Sequence, residues 1–161
     1  MRSVPIVTCF AFVVSLAIRP LYAQAAATDP CSLLTAQEVS GVLGIKSLPG
    51  RPWLGTSKTS CFFSPDTTFD LTSRTATVQT VTAAAFEFGK QMSTQGPLAG
   101  RNAGVGDESY YVTAGSYAKL GVRKGGHAFS ITVTSGTGKK ATPDQVADLE
   151  KALAKDAVAR L

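Results

Sequence analysis

The chain is poor in the residues that most catalytic and metal sites are built from. Its 161 residues include one histidine, His127, one tryptophan, Trp53, and three cysteines, none of them in a CxxC pair. A single histidine excludes a His-rich metal site and obliges any Ser-His-Asp apparatus to form around His127. That residue follows Gly125-Gly126 in "KGGHAF", where a solvated turn residue is expected. Turn tips seldom supply the buried carboxylate that a triad requires. "SGTGKK" has neither the leading glycine nor the Ser or Thr after Lys of a phosphate-binding loop.

Carboxylates are equally unpromising for chemistry. Asp107 and Glu108 are adjacent in "GVGDESYY" and would point to opposite sides of an extended chain, as befits a turn and strand entry. Asp66 and Asp70 fit no calcium-binding loop. No catalytic residue, cofactor or metal site is read from the sequence.

Basic residues exceed acidic ones, 16 to 11, for a net charge of +5. They are scattered, Arg123-Lys124 and Lys139-Lys140 being the only adjacent pairs. No aromatic-interleaved basic stripe of a phosphate-backbone reader is present, so a nucleic-acid partner is not expected.

The one long apolar run, Val4 to Ile18, ends at Arg19-Pro20, short of the roughly 20 residues of a membrane-spanning helix. With Arg2 before it and Leu21-Tyr22-Ala23 after it, the segment 1–23 reads as a cleaved secretory signal. Residues 24–161 then form a single exported domain. Cys9 lies inside the run rather than after it, so no lipid-attachment site is read. A soluble periplasmic or secreted protein with no transmembrane anchor after cleavage is expected.

Export leaves two cysteines, Cys31 and Cys61, for an oxidising compartment, and a disulfide between them is expected. Closing a loop of about 30 residues is worth on the order of 3 to 4 kcal/mol in the chain-entropy account.

Around the cysteines the element signals are local. Thr35 and Glu38 make a T-x-x-E capping box, with Leu34 and Val39 as its hydrophobic staple and Gly44 as the helix stop. "IKSLPGRPWLGTSKTS" reads as an irregular loop, "CFFS" and "SRTATVQTV" as strands, and "TAAAFEFGKQMSTQG" as a helix facing inward through Ala83, Phe86 and Met92. "SYYVT", "AKLGVRK" and "AFSITVTS" predict an antiparallel meander, with Phe129, Ile131 and Val133 inward and Ser130, Thr132 and Thr134 toward water. A second box, Thr142 to Gln145 with Pro143 at the first position, opens a last helix with Val146, Leu149, Leu153 and Ala157 or Val158 on its stripe. The expected fold is α+β: about five antiparallel strands covered by helices, in the order α-β-β-α-β-β-β-α.

Arg51, Trp53, Tyr110, Tyr111 and Tyr117 are the candidate ligand or partner surface, because aromatic side chains bring large contact area at little entropic cost.

The segments "DPCSLLTAQEV", "SCFF", "GVGDESYY", "KLGVRKGGHAFSITV" and "TPDQVADLEKALAKDAVARL" together resemble a group of small exported bacterial proteins of unknown function, typified by actinobacterial envelope lipoproteins that begin Cys-x-Leu-Leu-Thr. The resemblance implies a helix-covered antiparallel sheet, of the kind seen in extracellular sensor domains of bacterial kinases, and an envelope address. It brings no catalytic residues. This chain departs from the group in having no lipid-attachment cysteine after the signal. The resulting expectation is a non-enzymatic binding or interaction module for a protein, peptide or envelope component. The alternatives are a periplasmic hydrolase and an inhibitor or immunity-type protein.

Overall fold

The computed structural model describes residues 28–67, 72–114, 117–137 and 141–161, without the side chains of Ala114 and Tyr117. Residues 1–23, read above as a secretory signal, Asp70 and Lys139-Lys140 lie outside the described residues.

Helix α1 (Ala36–Leu43) begins at the anticipated box: Thr35 Oγ1 accepts from Glu38 N–H, and the Glu38 carboxylate accepts from Thr35 N–H. It ends at Gly44, whose φ of 65° suits a residue without a Cβ. Leu34 and Val39, the staple pair, are both buried.

Next come β1 (Arg51–Pro52), β2 (Ser60–Phe63) and β3 (Thr75–Thr80), then helix α2 (Ala83–Met92). The chain continues through β4 (Glu108–Ala114), β5 (Tyr117–Lys124) and β6 (His127–Thr134), and closes with α3 (Pro143–Val158). All strands pair antiparallel in one six-stranded sheet ordered β1-β2-β3-β6-β5-β4. The α+β class and element order are as expected. The additional strand is β1, two residues inside the Gly- and Pro-rich loop, too short to leave any alternation in the sequence.

Alternation gives the sheet two faces. The first carries Cys61, Phe63, Val78, Leu120, Val122, Phe129, Ile131 and Val133, all buried with residues of α1 and α3. The predicted inward register of β6 is therefore the observed one. The last turn of the chain is tied back to the first helix by Arg160, which pairs with Glu38 at 2.5 Å and donates to the Leu33 carbonyl.

The disulfide joins Cys31 to Cys61 with Cα atoms 5.0 Å apart. Cys61 pairs across the ladder with Pro52, so the bridge fastens the N-terminal segment to the base of the Trp53 turn. Gly50 lies directly on it: a Cβ there would stand 2.5 Å from Phe63 and 2.7 Å from the Cys61 sulfur.

The second face is partly covered by α2, contrary to the expectation of a solvated surface. Phe86 packs edge-on against Tyr110, ring centroids 4.9 Å apart, and Ser130 is buried. Ala83 and Met92, expected inward, are exposed; of the three anticipated positions only Phe86 is buried. The reason is that α2 meets the sheet through Gly89, which lies against the Tyr110 hydroxyl and admits the tyrosine beneath the helix. Among the described residues no helix is long and apolar enough to cross a membrane.

Candidate binding surface on the open face of the sheet

Helix α2 is held on the second face by charges at one end of the strands. Glu108 pairs with both Lys90 and Arg123, and Arg123 also pairs with Glu87 at 2.7 Å. The Lys90 ammonium, with Arg123 behind it, holds the Glu108 carboxyl below its ordinary range. Asp107 serves the neighbouring turn instead. It accepts from the Lys124 ammonium and from Gly125 N–H, which pins the β5–β6 turn, and the same contacts lower its pKa. The two adjacent acids are thus structural clasps, as their turn position suggested.

Register locates what α2 leaves uncovered. Glu108 lies opposite Arg123, Tyr110 opposite Gly121, and Val112 opposite Lys119. The helix sits over the Tyr110–Gly121 pair with Glu87 and Lys90 turned to the Glu108–Arg123 pair. Its opposite flank is by helical spacing Ala85, Phe88 and Met92, on the side of Val112 and Lys119. Phe88 is 65 % exposed and Met92 54 %.

Beyond this flank the face is polar. Lys119, between the buried Ala118 and Leu120, emerges on this face one residue past the last β5–β6 pair, Leu120 opposite Ile131. Thr132 pairs with Thr77, and Thr77 with Phe62. Gln79 stands two residues from Thr77 on the same face, its Oε1 accepting from Lys119 at 3.5 Å. Among the described residues Lys119 forms no ion pair, and partial burial lowers its pKa.

The far wall is aromatic. Trp53 meets Phe62 edge-on at 5.0 Å, and the Arg51 guanidinium lies 5.2 Å from the Phe62 ring centre while donating to Ser64 Oγ and the Asp66 carbonyl. After Trp53 the chain turns through Leu54, the one non-glycine described residue with positive φ, at 53°. Leu54 is 84 % exposed. A branched side chain in the left-handed region, turned to solvent, is a local conformation that core packing does not require.

The sequence-derived surface is therefore divided. Arg51 and Trp53 share this wall. Tyr110 and Tyr111 are withdrawn from any surface: Tyr110 lies under α2, and Tyr111, 2 % exposed, donates to the Ala147 carbonyl at 3.1 Å. Burial raises the Tyr111 pKa to about 12. Of Tyr117 only the backbone is described, opposite Ala114 in β4. Leu54, Phe62, Phe88 and Lys119 were not singled out from sequence. The outward position of Lys119 was legible in the alternation of "AKLG", but its place opposite an apolar helix flank depends on how α2 crosses the sheet.

His127 is half-buried at the start of β6, and its Nδ1 lies 2.9 Å from Thr28 Oγ1. Among the described residues no group of three or more His, Cys, Asp or Glu side chains is arranged to hold a metal ion. No family model, curated protein or solved structure matches the chain.

Proposed function

We propose that this protein is an exported, non-catalytic binding module that holds a protein, peptide or envelope component against the open face of its sheet. The observation that carries the reading is Leu54: an apolar side chain, 84 % exposed, held at positive φ on a turn whose base is fastened by the Cys31–Cys61 disulfide. Trp and Arg side chains are the usual energetic centres of interfaces, and Leu54 adds exposed apolar area beside Trp53 and Arg51. The disulfide agrees with the oxidising compartment that the N-terminal segment implies.

A tagged full-length chain, exported in a bacterial host, tests this by capture from envelope extract beside Leu54→Asp. A stoichiometric partner retained by the wild type and lost by a normally folded variant is expected. Equal capture by both would overturn the assignment of this surface. Recovery of the chain in the cytoplasm with residues 1–23 intact would overturn the address.

One observation favours an inhibitor or immunity-type role within this reading. No acidic residue occurs between Glu38 and Asp66, while Lys46, Arg51 and Lys58 do. A basic loop with an apolar tip complements an acidic target, and loss of a captured enzyme's activity would identify that role.

A further inference from the structure

We propose that the strip between the α2 flank and the Trp53 wall binds an extended acidic peptide segment, with Lys119 receiving a ligand carboxylate. The inference rests on the binding-module reading and names the chemistry of its occupant.

Three observations converge on it. The first is charge. The cations clustered around the α2 clasp are already matched to carboxylates: Lys90 and Arg123 to Glu108, Arg123 also to Glu87, and Lys124 to Asp107. Lys119, on the same face as Arg123, has no such match among the described residues and meets only the neutral Gln79. A half-buried ammonium gains most from an incoming anion because it has already lost part of its hydration.

The second is the floor. Gln79 and Thr77 present an amide and a hydroxyl along the strip, as the register places them. Such groups can hydrogen-bond the main-chain amides of a peptide, whereas an alkyl chain would desolvate them without return. This decides for a peptide over a fatty-acid-like carboxylate.

The third is the spacing of the walls. From Lys119 on β5 to Phe62 on β2 the strip crosses three strand intervals, about 14 Å. An extended segment of about four or five residues spans that distance. A carboxylate at Lys119 then leaves neighbouring apolar side chains to meet Phe88 and Met92 on one side and Trp53, packed edge-on against the buried Phe62, on the other.

The test uses the full chain and three fluorescein-labelled hexapeptides, alternating Leu with Glu, Gln or Lys, read by fluorescence anisotropy. The Leu–Glu peptide is expected to bind about tenfold more tightly than the Leu–Gln peptide, with Leu–Lys weakest. Lys119→Met should bring the first two within about twofold of each other, and Lys119→Arg should restore the preference. Phe88→Ser should weaken both. Circular dichroism and thermal melts establish that each variant is folded.

A preference that survives Lys119→Met, or failure of all three peptides to bind, overturns the proposal. Saturable binding of dodecanoate without peptide binding overturns it in favour of a small apolar carboxylate. If the peptides fail while envelope capture still depends on Leu54, this inference falls and the binding-module reading stands; if both fail, both fall.

Discussion

Glu150 of α3 accepts a hydrogen bond from the Val133 N–H at 3.1 Å, two residues beyond the last β5–β6 pair, Leu120 opposite Ile131. The helix thus supplies the acceptor that a neighbouring strand would otherwise give, and an unsatisfied buried N–H is avoided. The glutamate is fully buried, and its second oxygen has no hydrogen-bond partner among the described residues. Burial raises its pKa from 4.5 to about 8, against the smaller opposing effect of the Val133 bond.

Stability should therefore fall as pH rises. A carboxyl whose folded pKa lies above its unfolded value gives its full contribution below the unfolded pKa and loses it on the way to the folded one. Between pH 4.5 and 8 the loss should approach about 1.4 kcal/mol per pH unit and level off above. Urea unfolding at a series of pH values checks this. Glu150→Gln retains an acceptor for Val133 N–H and should flatten the profile. An unchanged slope in that variant would show that the dependence arises elsewhere.

Removal of the disulfide should loosen the binding wall along with the fold. Cys31→Ala/Cys61→Ala is expected to lose about 3.5 kcal/mol, the loop-closure value for a separation of 30 residues. Because Cys61 faces Pro52 and Gly50 rests on the bridge, hydrogen exchange should quicken in residues 50–58 more than in β4 and β5. Electrospray mass should place the native protein two hydrogens below its reduced form, and two free thiols would contradict the bridge.

Two glycine-to-alanine changes should have opposite signs. A Cβ on Gly121 would run into the Tyr110 ring, and Gly121→Ala should cost about 1–3 kcal/mol by overpacking beneath α2. Gly41 lies inside α1 with nothing within 4 Å of a Cβ, and Gly41→Ala should stabilise by about 0.8 kcal/mol through helix propensity. Paired denaturation curves decide both.

Leu54→Gly should raise stability while weakening binding. A glycine occupies the left-handed region without the Cβ clash, worth about 1 kcal/mol before its greater unfolded-state entropy is subtracted. It also removes the exposed anchor. A higher melting temperature with reduced partner capture is expected, and a lower melting temperature would mean that the Leu54 side chain supports the turn.

Whatever is settled within one or two helical turns or along one strand was already legible in the amino-acid sequence. The Thr35–Glu38 and Thr142–Gln145 boxes, the Gly44 stop and the inward register of Phe129, Ile131 and Val133 follow from local hydrogen bonding and side-chain periodicity. The cysteine pairing was legible because the secretory-signal reading of residues 1–23 sets Cys9 aside and leaves only two. Which surfaces stay open was settled by how distant elements pack. Tyr110 was an attractive surface aromatic until α2, admitted by Gly89 and clasped by Glu108, came down on it. Glu150 was an ordinary polar position on a helix until the Val133 N–H, left without a strand partner, lay next to it. Lys119 was one outward residue of a strand until the same helix placed Phe88 and Met92 on its side of the face. Each of these depends on a contact between elements distant in the chain, and local propensity carries no information about such contacts.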